Sequence, residues 1–280
     1  MEEHLPEVKV SQGVASSDFP AGAAFASWLR YNASMMENLD LVKIGCGYVV
    51  LIPTILSKLD SMDPTKDVPS VDRDLAVKTN AEIARRELDA EFPLLHAQSL
   101  VGLWGAFECL VEDVFTSRLA QDPTLVSAEP FAKIKLPASI LLMRDGFDVH
   151  QVILSEFSRN VGFDLSQGAT RFERLLIPVG LGGEVPDELR DMIFEAQQIR
   201  HVWAHRAGIA DAKFVERCPG LGTSVGARID LGNAEFSRYM AALQAYGLII
   251  LNRYRHLCGL SPEGVPDHPL RDLIESASPG

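Results

Sequence analysis

Between Gln198 and Asp211 the chain reads Gln-Ile-Arg-His-Val-Trp-Ala-His-Arg-Ala-Gly-Ile-Ala-Asp, which packs one guanidinium, Arg200, and two imidazoles, His201 and His205, into six residues. Imidazole titrates near neutral pH and serves as general acid or base. Guanidinium keeps its charge and grips phosphate in a fork. Together they could support cleavage of RNA by the ribose's own 2′-hydroxyl, with a histidine managing protons and Arg200 steadying the charge that grows on phosphorus. Such chemistry needs no metal. Five residues turn a straight helix through about 140°, so Arg200 and His205 splay apart within one chain. Two copies related by a two-fold axis would bring two such helix ends into one composite cleft.

The elements that must position these residues are helical. Acids and Pro186 in Glu184-Val185-Pro186-Asp187 open a helix running to about Arg206, with Gly208 placed to end it in a left-handed cap. Ahead of it, Leu100, Leu103, Trp104, Phe107, Leu110, Val111, Val114 and Phe115 trace a core-facing stripe on a helix over Leu94–Leu119. Pro93 marks a kink or break before that helix. After the site, Phe236, Met240, Leu243, Tyr246, Ile250 and Tyr254 share one side of a last helix that begins near Asn233, a good N-cap. A short extended piece fits Arg228–Leu231, residues 122–137 read as a proline-rich connection, and one or two helices fit between Ser139 and Val161. With few strand signals, the fold class is all-α.

Residues 1–70 read as a loose tail followed by a helical segment over Ala21–Leu59, closed by the linker Asp60–Pro69. Residues 71–260 read as the main helical domain and 261–280 as a flexible tail. The run Leu41–Leu56 is apolar but holds Lys43, Gly45, Gly47 and Pro53 and falls short of the ~20 residues of a membrane span, so a buried core helix is expected and no membrane partner.

Length and composition support a globular chain: 280 residues, 47% hydrophobic and 23% charged, large enough for a core without staples. A net charge of −12 argues against general coating of nucleic acid. The charge is uneven, however. From Gln197 to Leu257 eight Lys and Arg face four acids, a local +4 that permits one phosphate-containing ligand. Cys46, Cys109, Cys218 and Cys258 form no CxxC pair, which fits a reducing compartment. Met1–Lys9 is polar and acidic rather than leader-like. The expected location is the cytoplasm.

Arg200-x4-His205, with polar His201 directly after the arginine, resembles the R-x4-6-H signature of the HEPN family (higher eukaryotes and prokaryotes nucleotide-binding domains). The following Gly208, Ile209, Asp211 and Phe214 resemble the GIxDxxF-like run that trails this motif in a prokaryotic branch labelled RiboL-PSP-HEPN. The likeness covers about Leu94–Leu257 and is concentrated in Ile193–Phe214. It implies an up-and-down helical bundle, usually dimeric. In active members Arg and His form a metal-independent endoribonuclease site at the dimer interface, in toxin–antitoxin and other defence systems, with an antitoxin or regulatory protein as a further partner. Other members are non-catalytic and bind nucleotide, RNA or a partner protein. By the same likeness Arg200, His205 and His201 are the catalytic candidates. Glu108, on the first bundle helix, is a supporting acid, with Glu112 and Asp113 competing for that role. His201 stands where asparagine is more common, and Ala204, beside the bulky Trp203, stands where an aliphatic residue is usual.

Other readings of these residues exist. His201 and His205 at i and i+4 match a zinc-binding spacing, but no HExxH is present and Cys218 is the only nearby soft ligand, so no metal or other cofactor is expected. Trp203 reads as a core anchor before a base-stacking platform. Arg200 and His205 could also serve only to cap helix carbonyls or pair with acids. No GxxxxGK[ST] or GxSxG occurs, and the glycines near 182 and 220 lack the strand–turn–helix setting of a phosphate loop.

Overall fold

A computed structural model describes residues 19–62, 71–135, 149–160, 167–265 and 267–279. The expected tail over 1–18, most of the Asp60–Pro69 linker and the stretch 136–148 lie outside the described residues. The described residues form an all-α bundle: α1 Gly22–Met62, α2 Val71–Asp89, α3 Pro93–Gln121, α4 Val149–Asn160, α5 Gly168–Leu176, α6 Asp187–Arg206, α7 Ala212–Arg217, α8 Asn233–Leu257 and α9 Arg271–Ala277. No strand occurs among them. The extended piece expected near Arg228 makes one isolated antiparallel bridge to Ile209.

The core follows the apolar stripes. All eight stripe residues of α3 and all six of α8 are buried. Phe107 sits at the centre, with its ring 5.0 Å from Phe172 of α5, 5.5 Å from Tyr246 of α8 and 6.1 Å from Trp28 of α1. An aromatic truncated at such a position costs about 3–5 kcal/mol. The first half of α1 presents Phe25, Trp28, Asn32, Met35 and Leu39 to this core at three- and four-residue spacings. Close approach there depends on Gly247 of α8, where a Cβ would run into the Trp28 indole.

The second half of α1 leaves the core. α2 turns back along it and buries Ala81 and Ala84, so the two helices form an antiparallel hairpin. Its base is tied by Lys43 Nζ, which donates to Asn233 Oδ1 at 2.7 Å, and by the Asn233 backbone N–H, which donates to Glu91 Oε2 at 2.9 Å. Asn233 is therefore the first residue of α8 rather than its cap, and Gly232 precedes it. The expectation of a buried core helix at Leu41–Leu56 is corrected here: Leu41, Ile44, Tyr48, Leu51 and Ile55 are all exposed. By length and composition two helices, Gly22–Met62 and Pro93–Gln121, could cross a membrane. The second is a core helix of the bundle.

The break expected at Pro93 is present. α2 ends at Asp89, and Glu91 and Phe92 take left-handed φ values of 59° and 54° before α3 starts on the proline. Residues after Ser261, expected as a flexible tail, carry α9, whose Ile274 is fully buried against the bundle. Asn252 of α8 pins this segment by donating to Ser278 Oγ at 3.0 Å and accepting from the Glu263 N–H at 2.7 Å.

Candidate functional site

α6 carries the candidate residues on two faces. Its buried face, Leu189, Met192, Ile193, Ala196, Ile199 and Val202, packs on α3, α5 and α8. Asp187 and Glu188 occupy its first turn and His205 and Arg206 its last, matching the macrodipole at both ends. The helix ends through consecutive left-handed residues, Ala207 at φ 51° and Gly208 at φ 81°. The Gly208 N–H reaches back to the Val202 carbonyl at 3.3 Å, closing the last turn. Glycine is required at 208 for a second reason: a Cβ there would meet the Trp203 indole at 2.8 Å. Trp203 itself is half-buried, donates Nε1–H to the Ile229 carbonyl at 3.1 Å and lies under the Arg228 guanidinium. It packs against the edge of the core, as expected, and ties the loop after α6 to it.

The run after the motif has a structural account residue by residue. Gly208 and Ala210 exchange backbone hydrogen bonds with residues 226, 227 and 229. The Asp211 carboxylate caps α7 by accepting from the Phe214 N–H at 2.8 Å, and Phe214 is buried. These residues shape the turn that carries α6 out of the core and need no ligand to explain them.

Arg200 points toward α3. Its Nη2 lies 3.8 Å from Glu108 Oε2, while Arg171 of α5 contacts Glu108 Oε1 at 2.9 Å and the Trp104 indole N–H donates to the same oxygen at 2.9 Å. Glu108 is thus held from three sides, and Arg200 and Glu108 are still 26% and 20% exposed at their side chains. The Arg200 Nε is buried with no hydrogen-bond partner. His201 and His205 occupy the outward face of α6, with ring centroids 4.7 Å apart and rings tilted by 56°. The sequence-derived candidates therefore assort into two groups within one chain. Glu108 joins Arg200, and His201 joins His205.

Electrostatics differ between the groups. The His201 pKa is lowered, first by the burial of part of its ring, then by His205, Arg200 and Lys213, with Asp211 opposing. A neutral imidazole at physiological pH is what a general base requires. Around Glu108, the Glu112 pKa is raised by burial first, then by Glu108 and Asp113, with Arg171 opposing. Asp113 lies on the exposed surface, away from Arg200. Of the three acids on α3, Glu108 alone meets the Arg200 guanidinium.

Two members of the site escape sequence reasoning. Trp104 left a local signal, because an indole one turn before a carboxylate can donate to it. Arg171 left none, since its approach to Glu108 depends on how α5 crosses α3. No protein family, curated protein or solved structure matches this chain.

Proposed function

We propose that the chain is a metal-independent endoribonuclease of the HEPN type, a toxin or defence effector acting in the cytoplasm, with its cleft assembled by two copies. The observation that carries this reading is that the last turns of α6 carry both an exposed imidazole pair and, on another face, a half-open guanidinium. In the reaction, His201, held neutral, takes the proton of a ribose 2′-hydroxyl. The freed oxygen attacks the adjacent phosphorus, and the P–O5′ bond breaks. His205 returns a proton to the departing 5′ oxygen. Arg200 offsets the charge on the phosphoryl oxygens, and Glu108 holds Arg200 in place. The products are a 2′,3′-cyclic phosphate and a 5′-hydroxyl. Arg200 and His205 diverge on one helix, so each cleft would combine the histidines of one copy with the Arg200 of the other.

A second reading has its own support. Glu108 draws Arg200 away from the histidines, an arrangement suited to a non-catalytic helical protein that binds nucleotide, RNA or a partner protein. One experiment separates the two. Purified protein is incubated with structured RNA in excess EDTA beside His205→Ala and Arg200→Ala. Cleavage by the wild type alone, leaving cyclic phosphate ends, with both variants folded, supports the ribonuclease. A folded wild type that binds RNA without cutting it removes the catalytic reading and leaves the second.

A further inference from the structure

The outer half of α1 presents a second apolar stripe that none of the described residues covers. Leu41, Ile44, Tyr48, Leu51, Ile55 and Met62 recur at alternating three- and four-residue steps, broken only where Lys58 takes one place, and all six are exposed. This is the seam of a coiled coil, sustained over three heptads. It lies opposite the face of α1 that meets α2, where Cys46, Val49, Pro53 and Leu56 are half-buried. Leu41 is 67% exposed, Tyr48 68% and Met62 80%. Six exposed apolar side chains in one row along a helix are the kind of contiguous patch that marks an interaction surface rather than scattered surface residues.

We propose that this seam is a self-association surface, on which α1 of a second copy of the chain packs antiparallel to make a four-helix bundle from two α1–α2 hairpins. Charge selects the occupant and the direction. Lipid does not fit, because α2 runs beside the same half of α1 and exposes Arg73, Asp74, Lys78, Glu82, Arg85, Arg86 and Asp89. The uncharged run from Ile44 to Ser57 also spans only ~21 Å at 1.5 Å per residue, short of a ~30 Å hydrocarbon core. A parallel pairing would set Lys58 against Lys58 inside the seam. An antiparallel two-fold axis between Val49 and Val50 instead sets Tyr48 against Leu51 and Ile44 against Ile55. It brings Lys58 over Leu41 of the second copy, beside the exposed Asp40. Its stem then covers apolar surface while its ammonium meets a carboxylate. One patch meets itself, as a closed two-fold dimer requires. This pairing is independent of the ribonuclease reading and stands whether or not α6 is catalytic.

The test uses the full chain. Sedimentation equilibrium at micromolar concentration compares wild type with Leu51→Glu/Ile55→Glu, whose sites are exposed in the single chain and whose helical circular dichroism and melting midpoint are expected to match wild type. The expected result is a variant of half the wild-type mass. A monomeric wild type, or equal masses in the two proteins, overturns the proposal, as does a monomer that partitions onto phosphatidylcholine–phosphatidylserine vesicles. Oxidation then reads the direction. Tyr48→Cys/Leu51→Cys is expected to give a covalent dimer absent from wild type and from Leu51→Cys alone. Cross-linking by Leu51→Cys alone would overturn the antiparallel register.

Discussion

Glu173 and Glu108 each hold an arginine across the bundle, but the two clusters differ in how completely they are satisfied. At Glu173 both carboxylate oxygens and both terminal guanidinium nitrogens of Arg253 are answered. Arg253 Nη1 donates to its Oε1 at 2.7 Å, the Tyr246 hydroxyl to the same oxygen at 2.7 Å, and the Gly183 N–H to Oε2 at 2.9 Å. The rest of the guanidinium donates to the Leu181 and Glu184 carbonyls. Arg253 is 5% exposed, and burial drives the Tyr246 phenol far above its ordinary range. At Glu108 the contact to Arg200 is longer, the Arg200 Nε has no hydrogen-bond partner, and solvent reaches both side chains. A buried ion pair held by several short hydrogen bonds serves the fold. A half-open pair with unspent donors can meet a ligand. The chemistry of the residues is the same, and burial with hydrogen-bond completion decides which role it plays.

The strongest way to break this comparison is Glu173→Ala. It strands a buried guanidinium and a buried phenol, and the expected loss is about 3–5 kcal/mol of stability, read as the free energy of chemical unfolding. A loss as small as that of a surface pair would erase the distinction.

Acid separates the regions next. His268 is buried, and desolvation lowers its pKa to about 4 from an ordinary 6.5. The unfolded chain therefore binds this proton more readily than the folded one. Its contribution is fully present above pH 6.5 and is lost as pH falls from there through about 4, a change on the order of 3 kcal/mol. His96 is lowered in the same direction, by burial first. Unfolding followed from pH 7 to pH 4 is expected to show the loss, and His268→Gln to reduce it.

Glu108→Gln probes the open cluster. Because its charges are partly solvated, the stability change is expected to stay below about 1 kcal/mol. If Glu108 positions Arg200 for catalysis, RNA cleavage falls roughly ten- to hundredfold with the melting midpoint nearly unchanged. Cleavage that rises instead would show that Glu108 restrains Arg200.

The smallest effect belongs to Glu112→Gln. The raised pKa of Glu112 means the folded state holds its proton more tightly than the unfolded one. Its charged form opposes folding at neutral pH, and that penalty is relieved as pH falls through the raised value toward 4.5. Glu112→Gln is expected to raise the melting midpoint at pH 7 and to have no such benefit near pH 4.5, the opposite sign to Glu173→Ala.

The sequence by itself determined what is local. The stripes of α3 and α8, the break before Pro93, the glycine turn after α6 and the grouping of Arg200, His201 and His205 at one helix end all follow from periodicity, backbone freedom and dipole. Tertiary structure decided the rest. Glu173 and Arg253 lie 80 residues apart and meet only because α5 and α8 both pack on α3 and α6. Arg171 reaches Glu108 only through the crossing of α5 over α3. Leu41–Leu56 is apolar enough for a core, yet it is exposed because α1 outruns the bundle that buries its first half. The reason is common to these cases: hydrophobicity says that a surface should be covered, and only the packing of distant elements says whether it is and by what.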